Sequence, residues 1–461
     1  MGINIFIDRA FADIGVMVRT IQRKYEIVNL YIPQEYLGND LILKEDEFSS
    51  IHIYRYDFIK LERAEYEEYR FSKEAPPVDD AILQALSPYA AEIIKMMERG
   101  GYEAESYEER IAAYTIHVRY WNYMLEATKI DFVLFTGAPH TVHDYIIFRL
   151  SQMKGIKFGM LEVLPIQHKM LVMPMKSYED WDDSVAKKIA EYSNRNNIVL
   201  PEEYEDEFRK LTEPELHVVP YIVRSSLIQR IHHMEELFRY YGKQNMRHAV
   251  KKTIVHFRKR FQLDKVLKIY EKLAVDPNYD CKYIYFPLHY QPEKTTSPLG
   301  RWFVNQYLAI EMLSFYAPPD VYIYVKEHPA YKTHPVSTRN KELYLRIKKL
   351  DNVRLISMSA DTISLINHCS AVSSITGSVG YEALFKEKPY IMFGYQVMRY
   401  APGTINVRNN EDCKMAMKKI FEENFKPTLR EARGFMKALS EIGMEREEID
   451  RIVESLIPNL N

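Results

Sequence analysis

The chain has 461 residues, 47% of them apolar, with 62 Lys and Arg against 64 Asp and Glu and a formal net charge of -2. This length favours two or three domains with cores of their own, and the composition excludes wholesale disorder. The near-zero charge excludes a surface built throughout to grip nucleic acid. Cys281, Cys369 and Cys413 form no C-x-x-C pair, so neither a disulfide framework nor a cysteine-based zinc site is expected. No basic-then-apolar leader opens the sequence, and Phe6 stands where a myristoylation motif wants a hydroxyl. The longest charge-free stretch, 362–381, is broken by serines, glycines, Asn367 and His368, so no membrane span is expected. The expectation is a cytoplasmic chain, at most peripheral on a membrane.

In chain order, Ile3–Ile7 reads as a strand, followed by a helix through Ile21 and strands at 27–32 and 50–54. Residues 60–130 are charge-laced and helical, clearest at Ala81–Met97 and Glu108–Ala127. The apolar run Asp131–Thr136 is a buried strand, Asp144–Met153 a helix, and Lys157–Val163 another strand. Residues 175–262 then lose the strand signal. Between Arg224 and Gln262, ten Lys and Arg face two Glu, a net +8. This segment reads either as a solvated linker helix packing its aliphatic stems on the core or as a basic helix for an anionic membrane surface. From 281 the alternation returns: strands at 281–286, 320–325, 353–356, 371–375 and 389–393, with helices at 304–315, 340–350, 360–368 and 380–385.

The fold class expected is therefore α/β, two doubly wound Rossmann-like domains facing a cleft with a helical insertion between them. The boundaries are 1–175 for an acceptor domain, 176–262 for the insertion, 263–409 for a donor domain and 410–461 for a helical tail able to pack back on the first domain.

Three loops at strand ends of the second domain are chemically loaded. After the strand at 281–286 come His289, Gln291, Pro292, Glu293 and Thr295, a polar loop stiffened by proline. Lys326-Glu327-His328-Pro329 follows the next strand, and its Lys and His suit phosphate oxygens. The third, Ser374-Ile375-Thr376-Gly377-Ser378 running into Gly380 and Glu382, sets hydroxyls and glycines at a helix start. Free backbone N–H groups there would form an anion site, unless the hydroxyls serve only as caps. Neither a Gly-Lys-Ser/Thr P-loop nor a G-x-G-x-x-G fingerprint is present.

These three motifs in order, with Lys388-Pro389 and Phe393-Gly394, resemble the capsule polysaccharide biosynthesis family, which includes bacterial capsule β-Kdo transferases. The resemblance spans about 281–394. It implies a GT-B fold and an inverting, metal-independent transfer of a sugar from a nucleotide-activated donor, CMP-Kdo or similar, to a glycan or glycolipid. It also implies that Gln291 and Pro292 shape the donor loop, that Lys326 and His328 contact the donor phosphate, that Thr376, Gly377 and Ser378 hold the nucleotide, and that Glu382 meets the ribose. No cofactor is implied, because the nucleotide sugar is a substrate.

Inversion needs a general base, and the first domain should supply it. Asp8, His140, Asp144 and Glu162 stand at strand ends there. His140, with Asp144 one helical turn on to orient or replace it, is the preferred choice; Glu162 has a claim as an acid in an apolar strand end. No metal cluster is expected and no nucleic-acid partner. The alternatives on the same scaffold are a nucleotide-sugar epimerase, a glycerol-phosphate-type transferase, and a non-catalytic nucleotide-sugar-binding assembly subunit.

Overall fold

The computed structural model describes residues 2–8, 14–34, 45–66, 71–98, 106–179, 183–213, 261–291, 293–332, 339–445 and 447–457. The basic stretch 224–262 lies outside the described residues apart from Phe261 and Gln262, as does Pro292.

Short apolar runs build two sheets. The first contains β1 (Ile3–Ile7), β2 (Ile27–Gln34), β3 (His52–Asp57), β4 (Phe132–Phe135), β5 (Lys157–Val163) and β6 (Leu171–Met175). The second contains β7 (Lys282–Pro287), β8 (Val321–Lys326), β9 (Val353–Ile356), β10 (Ala371–Ser374), β11 (Tyr390–Met392) and β12 (Thr404–Asn406). A two-residue strand, β13 (Met444–Glu445), returns to the first sheet.

The second sheet runs β9-β8-β7-β10-β11-β12 with all pairs parallel. Counted from its own first strand this is the doubly wound order 3-2-1-4-5-6. The first sheet repeats that plan as β3-β2-β1-β4-β5, all parallel. It then departs from the expected all-parallel arrangement, because β6 pairs antiparallel with β5 and β13 antiparallel with β6. Sequence patterning overlooks β6 because Pro174 sits inside it; proline lacks the N–H that a central strand normally donates. In both sheets the chain reverses direction between the first and fourth strands, β1/β4 and β7/β10. Such switch points leave a crevice at the carboxyl ends where ligands bind.

Helices cover the faces. Tyr107–Ala127 starts at a capping box in which Glu109 N donates to Ser106 Oγ (3.2 Å) and Ser106 N to Glu109 Oε2 (2.6 Å). Its Val118, Tyr120 and Trp121 are buried in the first core. Gln306–Tyr316 and Lys341–Lys348 lie side by side on the second sheet.

The tail divides between the two units. Helix Asn410–Phe421 packs beside helix Gln306–Tyr316, whereas Leu429–Ile442 crosses to helix Asp183–Ser193, and Ile449–Leu456 lies on helix Ile14–Gln22. That last helix buries Ile452, Val453 and Leu456, each worth about 1.5–3 kcal/mol. The C-terminus is thereby a strap that binds the first unit to the second.

Candidate functional site

The three motif loops meet at the carboxyl ends of β7, β8 and β10. His289 is buried after β7, and its Nε2 accepts from the backbone N–H of Thr376, after β10, at 3.3 Å. Thr376 Oγ1 donates to the carbonyl of Thr295 at 2.6 Å. The second switch point is thus closed by bonds between the loops on its two sides. Burial pushes the His289 imidazole down to about 3, helped by the neighbouring His328 and Arg339, so a neutral ring makes the bond to Thr376.

In the Lys-Glu-His-Pro motif the hub is Glu327, the residue between the two nominated ones. Its carboxylate takes Arg339 Nε at 2.9 Å and the hydroxyl of Tyr344, and its backbone N–H donates to Tyr270 Oη at 2.9 Å. Arg339 in turn donates to the His289 carbonyl (2.7 Å) and to Gln291 Oε1 (3.3 Å). Burial opposes the Arg339 charge, but the Glu327 carboxylate outweighs it and holds the guanidinium firmly protonated. A buried pair like this is costly to break, because either partner alone is an uncompensated charge. Gln291 is structural in the same way, its amide donating to the Val304 carbonyl at 2.7 Å and its N–H to Tyr331 Oη at 2.9 Å.

Lys326 is turned away from the loop of His328. Its Nζ donates to the Ala360 carbonyl (2.6 Å) and to Thr362 Oγ1 (2.9 Å), docking the loop after β9. His328 Nδ1 accepts from the Ala330 N–H at 3.1 Å, which assigns the proton of the neutral ring to Nε2. Burial, then Arg339 and Lys326, push its pKa down to about 4.

The third loop differs from the expectation of several free backbone donors. The Thr376 amide goes to His289, and the Gly377 amide goes to Ser374 Oγ at 2.8 Å. The next amides in line are those of Ser378 and Val379, where helix Val379–Phe385 begins with Ser378 exposed. Gly380 serves packing: a Cβ there would stand 2.3 Å from the Tyr390 ring. Glu382, one turn in, is pushed up to about 7 by burial, against the opposing charge of Lys386. Glu293 stays exposed, its Oε2 accepting from Thr295 Oγ1 at 3.2 Å.

Across the cleft, the first switch point has Asp8 after β1 and His140 after β4. His140 Nδ1 lies 2.8 Å from the Ala138 carbonyl, a contact that places the proton on Nδ1 and leaves Nε2 as the basic nitrogen. Tyr178 donates to the Pro139 carbonyl and pins that loop. Asp144 accepts the Thr141 N–H at 2.7 Å, a cap bond at the start of helix Val142–Lys154. Glu162 spans the cleft, its Oε1 accepting from Lys294 Nζ at 2.9 Å.

Several residues here escape sequence reading. His143 Nε2 is 3.6 Å from Asp8 Oδ1, and both side chains are buried. Behind them His117 Nδ1 meets Tyr66 Oη at 2.7 Å, and the Trp121 indole donates to the same hydroxyl at 3.0 Å. Burial, with His143 adding, holds His117 neutral far below its ordinary range. A second group joins the domains: Arg301 pairs with both Glu92 and Glu179, and Arg149 donates to Glu179 (2.9 Å) and Tyr145 (2.7 Å). Ser297 Oγ adds a bond to the Glu92 carbonyl at 3.1 Å. The only prior signal was that Glu92, His117 and Arg149 fall on apolar helix faces, where a charged or polar residue needs a partner.

Residues 308–422 match the model of a family described as capsule polysaccharide biosynthesis protein. The match covers about a quarter of the chain and makes this segment similar to that family. The segment carries the second and third motif loops; His289, Gln291 and Thr295 precede it. Among solved structures, the β-Kdo 2,7 transferase of Thermosulfurimonas dismutans KpsC is 12% identical, with 73% of this chain and 88% of that one covered and a TM-score of 0.31. The UDP-GlcNAc 2-epimerase of Neisseria meningitidis, bound to UDP-GlcNAc, is 14% identical over 99% of each chain, with a TM-score of 0.26. The corresponding epimerase of Methanocaldococcus jannaschii is 11% identical over 96% of this chain and 100% of that one, with a TM-score of 0.26. None of these overlaps is close enough to carry a functional argument. No curated protein matches the sequence.

Proposed function

We propose that the chain is an inverting glycosyltransferase that moves a sugar from a nucleotide-activated donor, CMP-Kdo or a similar one, onto a glycan or glycolipid acceptor of a surface polysaccharide. The observation supporting this most directly is the meeting of three motif loops at the switch point of the second sheet. It lies opposite a first switch point that holds His140 and Asp8.

In this reading the donor phosphate takes the Nε2–H of His328 and the hydroxyl of Ser378, with Glu382 on the ribose. His289, Gln291 and Thr376 position the loops. Lys326, although docked on residues 360–362, contributes a buried positive charge beneath the leaving group. The acceptor hydroxyl gives its proton to His140 Nε2 as its oxygen bonds the anomeric carbon. The bond from that carbon to the phosphate oxygen breaks, and its electron pair leaves on the nucleotide. No metal and no cofactor enters, so chelation should leave turnover unchanged. Among the described residues no helix is long and apolar enough to cross a membrane. The proposal adds salt-sensitive peripheral contact with anionic lipid through the +8 charge of 224–262.

The test is a panel of CMP-, UDP-, GDP- and CDP-sugars with and without a glycan acceptor. Nucleotide release that requires acceptor, and disappears in His140→Ala and His328→Ala, is the expected result. Conversion of donor without acceptor would make the chain an epimerase, and saturable binding without turnover would make it a binding subunit. Absence of a thermal shift with every donor would remove the donor site altogether.

A further inference from the structure

Two cations of the motif loops are bonded inside their own domain. The Lys326 ammonium is held by the Ala360 carbonyl and Thr362 Oγ1, and the Arg339 guanidinium by Glu327, Gln291 and the His289 carbonyl. Lys294, in the first loop, is placed differently. Its partner lies across the cleft, where Glu162 Oε1 accepts from Nζ at 2.9 Å, and its side chain is 24% exposed. The next residue, Thr295, accepts Thr376 Oγ1 on its carbonyl at 2.6 Å, so the lysine stem rises beside the seam between the first and third loops. That stem is flexible and ends in a compact point charge, which can turn to either side of the cleft.

Glu162 stands on the far side near the proposed base. β5 pairs parallel to β4 with Phe135 opposite Met160. Two residues on, Glu162 is level with Gly137, at the start of the loop that carries His140. Its side chain is 4% exposed yet incompletely satisfied. Besides Lys294 it takes the N–H of its own neighbour Val163, at 3.2 Å, and its Oε2 is buried with no hydrogen-bond partner among the described residues. Glu327, by contrast, holds Arg339 on one side and Tyr344 on the other. A buried pair that serves the fold alone needs its remaining lone pairs filled in that way. The Lys294–Glu162 pair leaves one oxygen idle at the mouth of the site.

We infer that Lys294 is a donor-phosphate residue held in reserve by Glu162. A nucleotide phosphate offers oxygens to all three N–H donors of the ammonium, whereas Glu162 takes one. The phosphate therefore draws Lys294 away from Glu162, and the freed carboxylate turns to a hydroxyl of the acceptor. The inference rests on the nucleotide-sugar reading and adds to it a residue and an order, donor before acceptor.

The test is isothermal titration of the full chain with CMP, UDP, GDP and CDP. Lys294→Met should weaken the tightest of them about tenfold or more, and Lys294→Arg should keep most of the affinity. Glu162→Gln should tighten it about threefold or more, and that gain should shrink when residue 294 is already Met. Lys282→Met, which removes an equal charge at the amino end of β7, should change nothing. Lys294→Met leaves Glu162 buried without its cation. Should that variant not fold by circular dichroism, Glu162→Gln and the double variant Lys294→Met/Glu162→Gln make the same comparison, the double variant binding about tenfold more weakly. Unchanged affinity on removing Lys294, or unchanged or weaker binding in Glu162→Gln, would overturn the inference and leave the donor site standing. So would an equal gain from Glu162→Gln in both backgrounds, or a loss in Lys282→Met as large as that in Lys294→Met. Binding of none of the four nucleotides would remove the reading beneath the inference, and the inference with it.

Discussion

The two sheets share a strand order and reverse direction at equivalent places, yet they fill the crevice there with different chemistry. At the second switch point the loops are bonded to each other: His289 to the Thr376 backbone, Thr376 to Thr295, and Arg339 to His289, Gln291 and Glu327. Its histidines are held neutral, and its charged pair is sealed beneath them. At the first switch point ionisable side chains, Asp8 and His143, are stacked in depth, with His117 and Tyr66 behind. The second site is a rigid, pre-bonded cradle, which suits holding a nucleotide sugar in one pose. The first would supply the proton acceptor in the proposed transfer. A transferase needs both, and the contrast divides the proposed work between the sheets.

This division of work between the sheets is tested most directly at His140. If the first domain supplies the base, His140→Ala should lower turnover by about 10²–10⁴-fold with donor affinity unchanged. A loss of donor binding instead would reverse the division. Kinetics with saturating donor, beside calorimetric donor binding, decides this.

Next in size is the ionic seam. Arg301→Leu leaves Glu92 and Glu179 without their shared cation and should cost about 3 kcal/mol in denaturant unfolding. It should also separate the unfolding of the two sheets. A single unchanged transition would show that the tail strap and the remaining bonds, Lys294 to Glu162 and Ser297 to Glu92, couple the domains without it.

A third measurement uses pH. His289 and His328 have folded pKa values of about 3 and about 4 against an ordinary 6.5. Below 6.5 the unfolded chain takes up protons that the folded one refuses. Their contribution is therefore present above pH 6.5 and lost as pH falls toward 4, on the order of a few kcal/mol. His328→Gln should flatten part of that slope in chemical denaturation followed between pH 7 and 4. A bound donor phosphate should favour the protonated ring, bring its folded value nearer 6.5 and so flatten part of that slope.

The smallest effect is expected at the cradle's exposed lip. Ser378→Ala removes one hydroxyl and should raise the donor KM about five- to tenfold with kcat nearly unchanged. A large fall in kcat would make Ser378 part of the transition-state contact.

Most strands and helices, though not β6, β12 or β13, and the three motif loops were legible along the chain because each is local. Val321–Val325 is an apolar run that ends in Lys326-Glu327-His328-Pro329, so a loop at a strand end announces itself wherever the strand lies. His289 and Thr376 stood out for the same reason. The roles inside the loops were less legible: Glu327 is the hub, whereas Lys326 faces a neighbouring loop and Gly380 makes room for Tyr390. Which side of a loop faces inward depends on what packs beneath it, and that comes from other elements.

Arg301 and Glu92 are 209 residues apart and Lys294 and Glu162 are 132 apart; Asp8 and His143 also come from distant elements. Each of these is an ordinary charged or polar residue in its own neighbourhood. What the order of residues decided by itself was the alternation of strand and helix, the loops at the strand ends and the chemistry available in them. Only packing decided which charges were buried together, because a charge forced out of water must find its partner in space, whatever the distance along the chain.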